Sequence, residues 1–350
     1  MTNQSPSFFK RRWKLILNIL TIIALLGLVY AIRDQLAQTL RDLARVQLWV
    51  LLLMIPAQLL NYHSQTMVYQ HLFRIVGNNL PYKFLYRTSL ELNFINHVFP
   101  SGGVSGVSYF GVRMRSGEQI SAAKATLVQV MKLALLILSF EILLVLGLVF
   151  LAVAGKANDF VIFVTGALSM GLVVSTVLFM YIIGTKRRIN AFFIALTHLL
   201  NRIIRTIRPK HQEAINIEKA HKVFDDLHGN YLEFRKHYPE LKRPFFWALM
   251  ANATELATIY VVYIAFVELV NVGAVILAYA VANFAGLVSV LPGGVGVYEV
   301  LMTAVLAAGG VPAAISIPAT VMYRVLSTLI QVPPGYYFYN KTLHEKRAPA

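Results

Sequence analysis

The chain contains no cysteine. Disulfides, thiolate metal ligation and a cysteine nucleophile are therefore excluded, and the redox compartment cannot be read. Acidic residues are also scarce, 16 in 350, and charged residues of both signs make up only 14% of the chain. Soluble domains carry roughly 25% charged residues, so a water-facing surface over most of the molecule is excluded. The apolar windows hold no paired Asp dyad, no HExxH, no GxSxG elbow and no metal-ligand cluster. Those absences leave an intramembrane enzyme without a recognisable centre, His97 near Glu91 being the only hint of one. No catalytic residue, metal or cofactor is expected.

What fills the chain instead is apolar: 57% hydrophobic residues and a mean hydropathy of +0.61. This is the composition of an integral membrane protein, all helical, in a single membrane domain over residues 1–350. Windows long enough to cross a bilayer, about 20 residues each, run over 15–32, 48–70, 122–154, 160–183, 245–267 and 314–338. FKRRWK before the first window resembles a signal-peptide start, but no small-residue cleavage pattern follows, so a retained first helix is expected. Two more apolar stretches, 84–112 and 273–308, are interrupted by Pro-Gly clusters.

Lys and Arg orient the spans, because cytoplasmic loops carry the excess positive charge. Lys10, Arg11, Arg12 and Lys14 place the N-terminus inside, and Lys341, Lys346 and Arg347 do the same for the C-terminus. Arg33, Asp34, Arg41, Asp42 and Arg45 read as a short external loop. Arg74, Lys83, Arg87, Arg113, Arg115 and Lys124 flank the first interrupted stretch on both sides, so it enters and leaves by the cytoplasmic face. Between Thr185 and Arg243 there are 13 Lys or Arg against 6 Asp or Glu, which carries much of the net charge of +16. The second interrupted stretch is bounded outside. The resulting scheme has six full spans and two re-entrant hairpins in a multi-pass protein of the cell membrane, both termini cytoplasmic; eight full spans is the alternative.

An internal repeat emerges from this scheme. NFINHVFPSGGVSGVSYF, from Asn93 to Phe110, and NFAGLVSVLPGGVGVYE, from Asn283 to Glu299, share Asn-Phe, an apolar run, a proline, a Gly-Gly pair, a further glycine and an aromatic. Ala125-Thr126 and Ala319-Thr320 follow at nearly equal offsets. Residues 15–155 and 160–338 are thus expected to be inverted repeats, the second including a basic connector at 185–243. Paired Gly/Pro-broken segments in inverted repeats mark transporters, with the substrate bound where the broken helices meet. Non-helical backbone at membrane depth survives only beside protein or a water-filled cavity. Free N–H groups at the start of a half-helix suit an anion such as a phosphate. The expected substrate contacts are Pro100, Ser101, Gly102, Gly103 and Gly106 at the first break. At the second they are Pro292, Gly293, Gly294, Gly296, Tyr298 and Glu299.

Charges inside spans cost about 2.5–3.5 kcal/mol or more each and tend to be paired or functional. Lys132, Glu141, Glu255, Glu299 and Arg324 fall in or beside the spans. Arg324 has two readings, an ion pair with Glu299 or a bidentate hold on a phosphate; Lys132 is a second candidate for the anion. His63 and His97 are candidate proton carriers, against the plainer reading of hydrogen-bonded histidines. RRINAFFIALTHLLNRIIRTIRPK, from Arg187 to Lys210, has basic and apolar residues at helical spacing, the pattern of an amphipathic helix on an anionic membrane surface. Nucleic-acid binding is not expected, since the topology already accounts for the positive charge.

The FPSGGVSG break, the later PGGVGVYE break and an Arg in the final span together resemble the lysylphosphatidylglycerol synthase transmembrane region family. The resemblance runs from the first span to Phe338. It maps Pro100, Gly102, Gly103 and Gly106 onto the family's first break, Pro292, Gly293, Gly294, Gly296 and Glu299 onto its second, and Arg324 onto its basic position in the last span. It implies a flippase-like module that moves lipid between leaflets, without the soluble synthase domain and so without synthase activity. One departure stands in LVQVMKLA, Leu127 to Ala134, where family members often have a Glu-Arg pair and this chain has Gln129 and Lys132. The expected function is a lipid translocator, whose partners are membrane lipids: phospholipid, aminoacyl-phospholipid or polyprenyl phosphate. A transporter or channel for a small anionic solute, and an accessory lipid-handling subunit of a separately encoded glycosyltransferase or synthase, remain open, as does a homo-oligomer.

Overall fold

The computed structural model describes residues 33–99, 104–185, 231–267, 269–288 and 296–345, with a few isolated positions besides. The first span window, the connector from 192 to 230, and the tip residues Pro100, Ser101, Gly102, Gly103, Pro292, Gly293 and Gly294 lie outside the described residues. Everything described is helix or short connection, with no strand among the described residues. In chain order the helices are α1 (Arg33–Asp42), α2 (Met54–Ile75), α3 (Tyr82–Val98), α4 (Val104–Glu118), α5 (Ala122–Val153), α6 (Asp159–Ile183), α7 (Lys242–Ala265), α8 (Val272–Val288), α9 (Val297–Ala308) and α10 (Ala313–Glu345).

Among the described residues four helices are long and apolar enough to cross a membrane: α5, α6, α7 with the turn before it, and α10. From Ala122 to Leu146, α5 has neither Gly nor Pro, and Ser121 caps it by accepting the Lys124 N–H at 3.2 Å. By contrast α3 and α4 have 17 and 15 residues, and α8 and α9 have 17 and 12. At 1.5 Å per residue none of these four exceeds about 26 Å, short of the roughly 30 Å hydrocarbon core. Exposed Phe160, Phe163, Met170, Val174 and Val177 on α6, with Val145 and Val149 on α5, form an apolar outer face. Such a face suits lipid rather than water.

Two expectations need correction. The external loop expected over Arg33 to Arg45 is helical: α1 runs to Asp42 and a 3-10 turn continues to Arg45. Arg33 and Asp34 point outward, their side chains 57% and 93% exposed, while Thr39 and Asp42 are buried and α1 packs on α10. The second window, expected to be apolar, is long enough to span as α2 but buries Gln58, Asn61, Ser64 and Thr66. Gln58 and Asn61 bond α7, the most extensive neighbour of α2, while Thr66 reaches Ser89 on α3.

The packing is reciprocal. α10 lies on α3, and α5 lies on α8, so the long helix after each hairpin packs on an arm of the other hairpin. Both crossings bring backbones together at glycine. Gly273 of α8 sits against the Gly147 carbonyl of α5, and a Cβ on Gly335 of α10 would lie 2.6 Å from the Leu90 carbonyl oxygen and 2.5 Å from Phe94 Cβ of α3. Small residues permit such close helix approach in membranes. Gly335→Ala is therefore expected to destabilise the protein by about 1–3 kcal/mol, the usual range for overpacking. Gly171→Ala, with nothing within 4 Å of the added carbon, should leave the thermal midpoint of the detergent-solubilised protein in place. Equal midpoints for both variants would contradict close packing at α3 and α10.

Candidate functional site

The second hairpin resumes as helix at Gly296, whose φ of +88° is a conformation that glycine adopts at no steric cost. Glu299, in the first turn of α9, folds back so that its Oε2 accepts the Gly296 N–H at 2.6 Å. Its Oε1 accepts from Arg324 Nη1 at 2.5 Å and from Gln35 Nε2 at 2.9 Å. The guanidinium also lies 4.7 Å from the centre of the Tyr298 ring, and the paired side chains are 17% and 12% exposed. One carboxylate thus caps α9 and ties it to α10 and α1. Of the two readings of Arg324, the ion pair is the one formed. Gly296, expected to offer its N–H to an anion, spends that donor on Glu299.

The first hairpin comes within electrostatic range of the same arginine. His97, near the end of α3, is within electrostatic reach of Arg324, and its Nδ1–H donates to the Asn93 carbonyl at 2.8 Å. Arg324 lies eleven residues into the 33-residue α10, about 16 Å and a third of the way along it. On the other arm of the hairpin Gly106 is buried against the Asn96 side chain, which a Cβ would overlap. The two arms therefore close tightly just below the tip.

A polar layer extends from there. Asn93, from the first Asn-Phe pair, donates to Tyr62 Oη at 2.9 Å and to Gln331 Oε1 at 3.3 Å. Gln331 donates to Gln58 at 3.1 Å, and Gln58 to Thr258 at 3.4 Å. Glu255 on α7 accepts the Tyr323 hydroxyl at 2.6 Å and bonds Gln58, with Tyr62, Tyr279 and Tyr298 around it. Among the described residues no Lys or Arg forms an ion pair with Glu255.

Lys132 is buried on α5, bonded to Gln65 Oε1 at 2.9 Å and 4.2 Å from the centre of the Tyr69 ring. Tyr69 donates its hydroxyl to Gln129 at 2.5 Å, so a tyrosine joins Gln129 and Lys132. At the offset separating Pro100 from Pro292, Lys132 aligns with Arg324, and Val107 with Glu299. Both cations lie on a tyrosine ring, but only Arg324 has a carboxylate among the described residues. That offset is the sequence signal by which the two bases could have been paired.

Other ionisable groups are differently used. Glu91 is wholly buried and receives three donors: Tyr109 Oη at 2.8 Å, Arg113 Nε at 3.0 Å and Thr342 Oγ1 at 2.6 Å. It clamps α3 to α4 and α10, and the Glu91–His97 centre weighed for an enzyme is not formed by a hydrogen bond between them. His63 bonds Tyr82 Oη at 2.8 Å, as a hydrogen-bonded histidine would. Glu141 keeps one buried carboxylate oxygen without a partner among the described residues. No group of three His, Cys, Asp or Glu positioned for a metal occurs among the described residues.

The family model described as the lysylphosphatidylglycerol synthase TM region matches residues 15–335. The chain belongs to this family. The match spans both hairpins, the Glu299–Arg324 pair and Lys132, and the family name denotes the membrane part of such synthases. A search of curated proteins finds no match.

Proposed function

We propose that this member of the family is a lipid translocator, carrying a phosphate-bearing headgroup between leaflets past a site shared by two hairpins that enter from opposite faces of the cell membrane. The observation that carries the reading is Arg324, which bonds the first turn of α9 and lies within reach of His97 at the end of α3. The reciprocal packing of α5 on α8 and α10 on α3 supports the reading of the two halves as a repeat.

The chemistry is an exchange of partners. Arg324 has a planar fork suited to phosphate oxygens, and Glu299 holds it while the site is empty of headgroup. An arriving phosphate competes with Glu299 for the guanidinium. The displaced carboxylate keeps the Gly296 N–H and the Gln35 amide, so no bare charge is left at membrane depth. Lys132, with no carboxylate partner among the described residues, adds a positive charge in the other half. The exposed apolar faces of α5 and α6 leave the lipid tails in the bilayer.

Purified chain reconstituted in vesicles tests this with labelled phosphatidylglycerol, lysyl-phosphatidylglycerol, phosphatidylcholine and a polyprenyl phosphate. At least one should cross faster than in protein-free vesicles, and Lys132→Met should slow that crossing while leaving the thermal midpoint in place. No acceleration of any of the four would sink the proposal; anion uptake in its place would assign the site to a solute.

A further inference from the structure

Away from the hairpins, at the Ile75 end of α2 and the Lys242 end of α7, a groove of about 480 Å³ is lined by His71, Arg74, Lys242 and Arg243, with Glu240 at its wall. A second recess of about 410 Å³ shares His71, Lys242 and Arg243 and ends on Phe246 and Trp247. The two are one continuous feature, basic at one end and aromatic at the other.

Three observations separate it from ordinary loop charge. Arg74 and Arg243 are both within electrostatic reach of His71, so the bases converge on one space rather than fanning outward. Among the described residues none of the four forms an ion pair, and Arg74 Nε donates to Asn79 Oδ1 at 3.4 Å. Glu240, the single acid at the wall, pairs with none of them. Lastly, Phe246 is 52% exposed and lies one turn, about 5–6 Å, farther along α7 than Lys242. That is the vertical order of a lipid: charge at headgroup level, apolar surface one turn nearer the hydrocarbon.

We infer that this groove binds the phosphodiester headgroup of an anionic membrane lipid, with His71, Arg74, Lys242 and Arg243 around the phosphate and Phe246 and Trp247 along the glycerol and upper acyl chain. A soluble phosphate has no use for the aromatic end, which is why a lipid is the ligand assigned. The site lies outside the hairpin machinery, and the inference stands whether or not the chain moves lipid.

The test uses full-length protein in detergent titrated with short-chain phosphatidylglycerol, phosphatidylcholine or inorganic phosphate, with bound lipid counted by native mass spectrometry. Phosphatidylglycerol should bind in preference to phosphatidylcholine, and the affinity should fall steeply with added salt. The variant R74Q/K242Q/R243Q changes only exposed side chains. It should weaken phosphatidylglycerol binding on the order of a hundredfold with its lipid-free thermal midpoint unchanged, and K242R/R243K should keep near-parent affinity. Equal binding of the two lipids, or equal binding by parent and triple variant, would overturn the inference. Full displacement of the lipid by millimolar inorganic phosphate would reassign the groove to a free anion. Phe246→Ala supplies a check independent of charge: it should weaken lipid binding and leave any phosphate binding as it was.

Discussion

Arg324→Ala should abolish translocation and lower stability by about 3–5 kcal/mol, the usual cost of removing one partner of a buried pair. The reason is local. Glu299 would keep only the Gly296 N–H and the Gln35 amide, and α9 would lose its tie to α10. The double variant E299Q/R324Q decides what the pair is for. Without either charge its thermal midpoint should recover most of the loss, because contacting residues couple by about 0.5–3 kcal/mol. Translocation should not recover, since the cation that meets the headgroup is gone. A double variant that regains both would make the pair a structural clamp and nothing more.

Glu91→Ala should be the most damaging single change to folding. It strips the counter-charge from Arg113, whose side chain is 11% exposed, and it leaves the Tyr109 and Thr342 hydroxyls without their acceptor. Unpaired buried charge costs about 3–5 kcal/mol and each orphaned polar group adds about 1–3. The first hairpin would come loose from α10. A sharp fall in the monodisperse fraction on size exclusion, partly reversed in E91A/R113A, is the expected outcome. A monodisperse Glu91→Ala protein with the parent's thermal midpoint would show that the three hydrogen bonds carry no net stability.

How much of this could be read beforehand depended on whether the signal was local. The long helices α5, α6, α7 and α10 were legible because windows of about twenty mostly apolar residues leave few alternatives in a bilayer. The helical arms beside both breaks were legible from one proline and its glycines. α1 was not, because Arg33, Asp34, Arg41 and Asp42 look like a loop when charge alone is counted. A helix tolerates Arg33, Asp34 and Arg41 on an outward face, and the residue that mattered, Gln35, carries no charge. The polar face of α2 was hidden by averaging: Gln58 and Asn61 are outweighed by leucines in hydropathy yet make the buried contacts to α7.

At the site the same division holds. Glu299 and Arg324 were singled out as intramembrane charges, and their pairing was one of two readings. Arg113 had been counted only as a topology marker, and its pairing with Glu91 depends on how α4 folds back on α3, which no short window contains. The tyrosines around Glu255 come from α2, α8, α9 and α10, a non-local arrangement with no sequence pattern to betray it.

The central claim is that two hairpins open to opposite faces and meet at Arg324. The absence of native cysteine makes its most direct test simple, because any maleimide label reports only an introduced site. Exposed Lys83 and Ser116 stand at the mouth of the first hairpin, and exposed Val272 and Ala307 at the mouth of the second. Each is replaced singly by cysteine and labelled with a membrane-impermeant maleimide, in intact cells and in inverted vesicles. The account predicts that Lys83→Cys and Ser116→Cys react together from the cytoplasmic face, and that Val272→Cys and Ala307→Cys react together from the other. Reaction of Lys83→Cys and Ser116→Cys from opposite faces would mean that α3 and α4 cross the membrane, and would contradict it.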